Sequence, residues 1–173
     1  IQSRGGCSCA GPYGHRLLGI DLDRSTELRT EIARGCEGIK PGWVRVNFNY
    51  FLSETVFSYI VAAVERIADH GYRLIDDYTF EPSSGLWRHR SGPVEPPLRL
   101  KQLRYIDGRL TYPRHDDRAD ESALAGYLQQ AASILLEHPE PALTQSAHMS
   151  AEFEHLRWFE LPASCVSPFR SEQ

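Results

Sequence analysis

One stretch limits what this chain can fold into more than any other: an alternating segment running straight into a capped amphipathic helix. Residues 42–51, "GWVRVNFNYF", place Val44, Val46, Phe48 and Tyr50 on one side and Trp43, Arg45, Asn47, Asn49 and Phe51 on the other. Period two with β-branched and aromatic residues predicts a strand with one wholly apolar face. The second face is either plainly solvated or, given the aromatic residues bracketing its polar row, the wall of a polar pocket. Residues 53–71, "SETVFSYIVAAVERIADHG", follow. Val56, Phe57, Ile60, Val61, Val64, Ile67 and Ala68 recur at helical spacing. Ser53 suits the N-cap, Glu54 the positive end of the helix dipole, and Gly71 the stop. The strand–helix unit is expected to form the centre of an α+β fold.

Weaker elements surround it. Residues 12–19 predict a helical turn after Pro12, which suits a first helical position. Residues 24–34 predict a short surface helix capped by Ser25, with Leu28 and Ile32 on one face and Gly35 ending it. Beyond residue 72, "YTFEPSSGLWRHR" predicts two strands around a Pro-Ser-Ser-Gly turn, and Asp107-Gly108 is a strong hairpin signal. Residues 92–97, "GPVEPP", make a proline-rich connector. Residues 119–137 predict an amphipathic helix with Leu124, Tyr127, Leu128, Ala131, Ile134 and Leu135 facing inward. A last short helix is expected within 150–161 and a loose tail from Pro162. The expected organisation is a first unit over 1–71 and a hairpin-and-helix extension over 72–173.

Composition excludes several classes. Hydrophobic residues are 41% and charged residues 24% of the 173, an ordinary globular balance. The formal net charge is -4 and the basic residues are scattered, which argues against nucleic acid as the main ligand. No apolar run is long enough for a membrane helix. Neither a membrane partner nor a signal peptide is expected, and a cytoplasmic protein with reduced thiols is the simpler reading. A chain that opens at Ile1 on a functional-looking loop is expected to be part of a larger protein.

That loop is "RGGCSCAGPYGH", residues 4–15. Cys7, Cys9, His15 and Cys36 would number four zinc ligands, but structural zinc sites use two clusters of paired ligands and here there is a single Cys-Ser-Cys, so no metal is expected. A Cys7–Cys9 disulfide would close a strained ring. The remaining reading is a nucleophile on a glycine-rich backbone, its thiolate favoured by Arg4 or by the start of the following helix. Trp87 and His89, alternating on a strand, read as packing and edge residues, and His15 as a residue of the loop or helix start.

Arg4-Gly5-Gly6-Cys7-Ser8-Cys9-Ala10-Gly11-Pro12 resembles the active-site loop of class V aminotransferase-fold enzymes of the cysteine desulfurase and selenocysteine lyase type, which carry Arg-x-Gly-x-x-Cys-Ala-x-Pro. The Cys-x-Cys form is also similar to the loop of molybdenum cofactor sulfurases. The longer insertion at 19–41 resembles the sulfurase arrangement too. The family follows its loop with a strand containing Arg-x-Ser and a capped helix. Here these become Arg45-Val46-Asn47, with Asn47 in place of the serine, and the helix opened by Ser53. The resemblance covers residues 4 to about 70.

The resemblance implies the small C-terminal domain of a fold-type I enzyme, an antiparallel sheet packed by helices. It implies pyridoxal phosphate (PLP) as the cofactor, acting as an electron sink for a substrate amino acid such as cysteine. Cys9 is then the nucleophile and sulfur carrier, leaving alanine and an enzyme persulfide for a sulfur-acceptor protein. Arg45, with Asn47 beside it, grips the substrate carboxylate. The lysines are Lys40 and Lys101, and neither follows the family's His-Lys signature. The Schiff-base lysine and most of the PLP site are therefore expected upstream of this chain. The chain alone is expected to be inactive, and the full-length enzyme to be a homodimer. The alternatives are a class V enzyme without sulfur chemistry and a non-catalytic thiol or zinc module.

Overall fold

A computed structural model describes residues 1–6, 11–96, 98–113, 119–141 and 149–166. The described residues make an α+β structure of helices and three two-stranded antiparallel sheets. β1 (Ser3–Arg4) pairs with β2 (Arg45–Val46), β3 (Tyr78–Glu81) with β4 (Leu86–His89), and β5 (Arg104–Ile106) with β6 (Arg109–Thr111). The helices are α1 (Gly11–Leu17), α2 (Leu22–Ala33), α3 (Glu54–His70), α4 (Leu124–Glu137) and α5 (Ala151–Leu156). None of the described helices is long and apolar enough to cross a membrane.

Several local signals act as expected. Ser53 accepts a hydrogen bond from the Val56 N–H at 3.2 Å and caps α3. Its hydroxyl also donates to the Glu121 carboxylate at 2.9 Å, tying the start of α3 to the turn that leads into α4. Asp107 and Gly108 take φ values of 50° and 73°, the left-handed pair that a two-residue hairpin turn requires. Ser150 caps α5 through the Phe153 N–H.

Other expectations are corrected. α2 starts at Leu22 and its cap is Asp21, whose carboxylate accepts from the Arg24 N–H at 2.8 Å; Ser25 already lies inside the first turn. The strand expected over 42–51 shrinks to Arg45–Val46, because β1 offers only two residues of pairing and the chain turns at Asn49–Leu52. Its apolar side is not buried: Val44, Phe48 and Tyr50 are exposed, and Phe48 merely leans on Phe57 at 5.0 Å. Alternation without a partner sheet on either side leaves an extended segment, not a strand. α3 then packs on α4 through one side and buries only Ile60 fully, while Phe57, Val64 and Ile67 stay exposed. In α4 the inward residue is Leu135, with Leu124, Leu128 and Ala131 half-buried, whereas Tyr127 and Ile134 face outward.

The core sits elsewhere. Leu28 of α2, Ile39, Phe80 of β3, Phe153 and Leu156 of α5, Leu161 and Cys165 form one buried cluster. It draws on residues from both sides of position 71. The segment from Pro162 is not loose as far as it is described: Cys165 is fully buried, its thiol donates to the Ile75 carbonyl at 3.3 Å, and Val166 bridges to Phe80. Trp87 stacks on Phe80 at 4.8 Å, and His89 meets Tyr78 edge-on at 5.2 Å, so both have packing roles.

Candidate functional site

The sequence-predicted residues divide between a described edge and a segment outside it. Cys9 and Cys7 lie outside the described residues. What flanks them is placed. Before the segment, β1 runs antiparallel to β2 with Ser3 opposite Val46 and Arg4 opposite Arg45. The Gly6 carbonyl accepts a hydrogen bond from the Trp43 N–H at 3.3 Å. A Cβ on Gly42 would sit 2.5 Å from the Gly6 backbone, so only glycine allows this approach. After the segment, α1 buries Gly14 against the Trp43 ring, where a Cβ would stand 2.8 Å from the indole. The residue entering the cysteine segment and the helix leaving it thus both dock on residues 42–46.

Arg45 and Asn47 are exposed on this edge. The Arg45 side chain makes no hydrogen bond or ion pair with the described residues, and neither does the side chain of Arg4 across the strand. The polar pocket expected between Trp43 and Phe51 does not form, since Phe51 is exposed and turns onto Tyr50 at 5.4 Å. A cavity of about 180 Å³ opens beside Gly42, with core residues Leu28 and Leu156 among its walls and Leu18 and Trp158 nearer its mouth. His15 is half-buried in α1.

The two described thiols are not activated. Burial pushes the Cys36 thiol above its ordinary range, and the Glu31 carboxylate adds to the effect. Burial does the same for Cys165, outweighing the hydrogen bond from Ser164. Both stay protonated at neutral pH, which is the signature of packing thiols. Among the described residues no cluster of three or more His, Cys, Asp or Glu side chains has metal-binding geometry.

The residues present do not fit PLP. The cofactor needs a lysine for its Schiff base and a partner for its ring nitrogen. Lys40 is held in an exposed ion pair with Glu37. Lys101 lines an open hollow of about 520 Å³ with Gln102, Arg104, Thr111, Tyr112 and Pro113, none of which is a carboxylate. The cavity beside Gly42 contains no lysine.

Sequence reasoning missed two features. Arg4 was read only as a neighbour of the thiol, and its position opposite Arg45 depends on a strand pairing that no local pattern encodes. The second is a polar latch far from this edge. His138 pairs with Asp77 at 3.1 Å, and Arg73 donates to the Leu136 and His138 carbonyls at the end of α4. Scans against protein-family models, curated proteins and solved structures returned no match to this chain.

Proposed function

We propose that this chain is the C-terminal part of a cytoplasmic PLP-dependent cysteine desulfurase-like enzyme of the class V aminotransferase fold. Its contribution is the sulfur carrier Cys9 and the carboxylate-binding Arg45. The observation that carries the reading is the docking of both flanks of the cysteine segment on the strand that bears Arg45. That arrangement of the flanks supports a reading in which the loop-and-strand motif works at this edge. The exposed guanidinium of Arg45, without a partner among the described residues, offers two parallel donors for a carboxylate. Asn47, two residues on, supplies a second polar group on the same side of the chain.

The cofactor chemistry belongs to residues outside this chain, since Lys40 and Lys101 fit no PLP site. Within that division of labour, Cys9 accepts the substrate sulfur as a persulfide and passes it on, and Arg45 orients the substrate. The exposed apolar residues of the edge and of α3, including Val44, Phe48, Phe57 and Val64, are consistent with a body that packs against more protein.

Two experiments test the proposal. The purified chain incubated with PLP and cysteine is expected to release no sulfide; turnover would overturn the assignment of the cofactor site to residues outside it. In the full-length enzyme, alkylating Cys9 with iodoacetamide is expected to abolish desulfuration. A fully labelled enzyme that keeps its rate would point instead to a class V enzyme without sulfur chemistry.

A further inference from the structure

We infer that Arg4 and Arg45 together form a two-guanidinium site for a small oxyanion. Arg4 is then a second substrate-binding residue beside Arg45. The inference rests on the reading of Arg45 as a carboxylate-binding residue and extends it to a residue with no assigned binding role. The starting point is the register of β1 on β2, which sets Arg4 directly across from Arg45. Directly opposed residues of an antiparallel pair project from the same face, with Cβ atoms about 5 Å apart. Two cations in that relation repel each other, and like charges at such positions destabilise a sheet.

Six other described arginines have a partner, while those without one, such as Arg16, Arg66 and Arg88, are not set across a strand from a second arginine. Arg34 pairs with Glu31, Arg73 with Glu140, Arg99 with Glu95 and Arg157 with Glu154. Arg24 holds the His155 carbonyl at 2.7 Å, and Arg90 holds the carbonyls of Asp76 and Ser164. Arg4 and Arg45 have no acid or carbonyl among the described residues. Among the described residues this cross-strand pair of forks thus has no counter-charge, which suits an anion from solution. The pair suits a compact oxyanion, with each fork donating to a different oxygen of one carboxylate or sulfate group.

The test uses this chain in solution at fixed ionic strength, with chloride exchanged for sulfate or for L-alanine, and follows the arginine Nε–H signals by NMR. Sulfate is expected to shift the signals of Arg4 and Arg45 together in a saturable way. L-Alanine, as an amino-acid carboxylate, is expected to shift the same two. Arg4→Gln is expected to weaken both ligands at least tenfold. Arg88→Gln, on exposed β4, is expected to leave binding unchanged. Since the Arg4 side chain makes no described contact, Arg4→Gln is expected to keep its far-UV circular dichroism and, without anion, to melt slightly higher as the repulsion is relieved. Non-saturable shifts, shifts at Arg45 alone, or full affinity in Arg4→Gln would overturn the inference. Those results leave the desulfurase reading to the Cys9 alkylation experiment, which does not depend on Arg4.

Discussion

The edge that carries Arg45 and the body that carries the core are built in opposite ways. On the edge, β1 and β2 share two pairs of residues, Tyr50 is 99% exposed, and among the described residues the tight contacts are Gly42 on the Gly6 backbone and Gly14 on the Trp43 ring. In the body, Ile39, Phe153, Leu161 and Cys165 are almost wholly removed from water, and α2, β3, α5 and the 163–165 turn all meet around them. Stability is drawn from the second region and the proposed chemistry sits on the first. Segments that must admit a ligand or move come from the weakly held end of a structure's stability range. The comparison makes a graded set of predictions.

The largest effect is expected in the core. Phe153→Ala removes a side chain that is 1% exposed, and a loss of about 3–5 kcal/mol is expected in urea unfolding. A loss below about 1 kcal/mol would mean that the core lies elsewhere. Gly42→Ala comes next, because the new Cβ has no room against the Gly6 backbone. Overpacking of this kind typically costs about 1–3 kcal/mol. Here it is expected to separate β1 from β2, visible as faster amide exchange at Trp43 while the core amides stay protected. Equal loss of protection in both regions would erase the distinction drawn above.

Smaller effects follow. Ser53→Ala removes the N-cap of α3 and is expected to cost about 1 kcal/mol in the same unfolding assay. The half-buried Cys36 thiol and the buried Cys165 thiol make stability depend on pH. Folding raises the pKa of Cys36 and Cys165, so the folded state holds these protons more tightly than the unfolded chain. Their contribution is complete below the thiol's unfolded pKa of 9.0 and is lost as pH climbs through the raised folded values. A decline in melting temperature above that pH, reduced in Cys165→Ala, is the expected outcome. Tyr50→Ser should change stability by less than about 0.5 kcal/mol, because its side chain is wholly exposed and its one ring contact among the described residues is with Phe51, itself exposed. A larger loss would show that Tyr50 is covered in solution.

How much of this was legible in the sequence depended on whether the signal was local. The Ser53 cap, the Asp107-Gly108 turn, the hairpin around residues 82–85 and α5 follow from neighbouring residues, and all form. The strand over 42–51 failed because alternation specifies a face, not a partner. With only Ser3 and Arg4 to pair against, most of that stretch has no ladder to join. The core was misplaced for a related reason. Its members come from α2, β3, α5 and the Ala163–Cys165 turn, separated by long stretches of chain, and Cys165 looks like a tail residue until Ile75 and Phe80 are brought to it. Asp21 outcompeted Ser25 because its carboxylate lies one turn earlier, where the Arg24 N–H is still free. The Arg45 strand and the glycine-rich loop were legible as a motif. Their contact through Gly6, Gly42, Gly14 and Trp43 was not.

The most direct test of the central claim is mass spectrometry of the peptide bearing Cys9, taken from full-length enzyme quenched during turnover of cysteine without an acceptor. The account predicts that this peptide gains one sulfur atom, that the gain disappears on reduction, and that it is absent in Arg45→Ala at subsaturating cysteine. A peptide that stays unmodified while alanine and sulfide accumulate would contradict it.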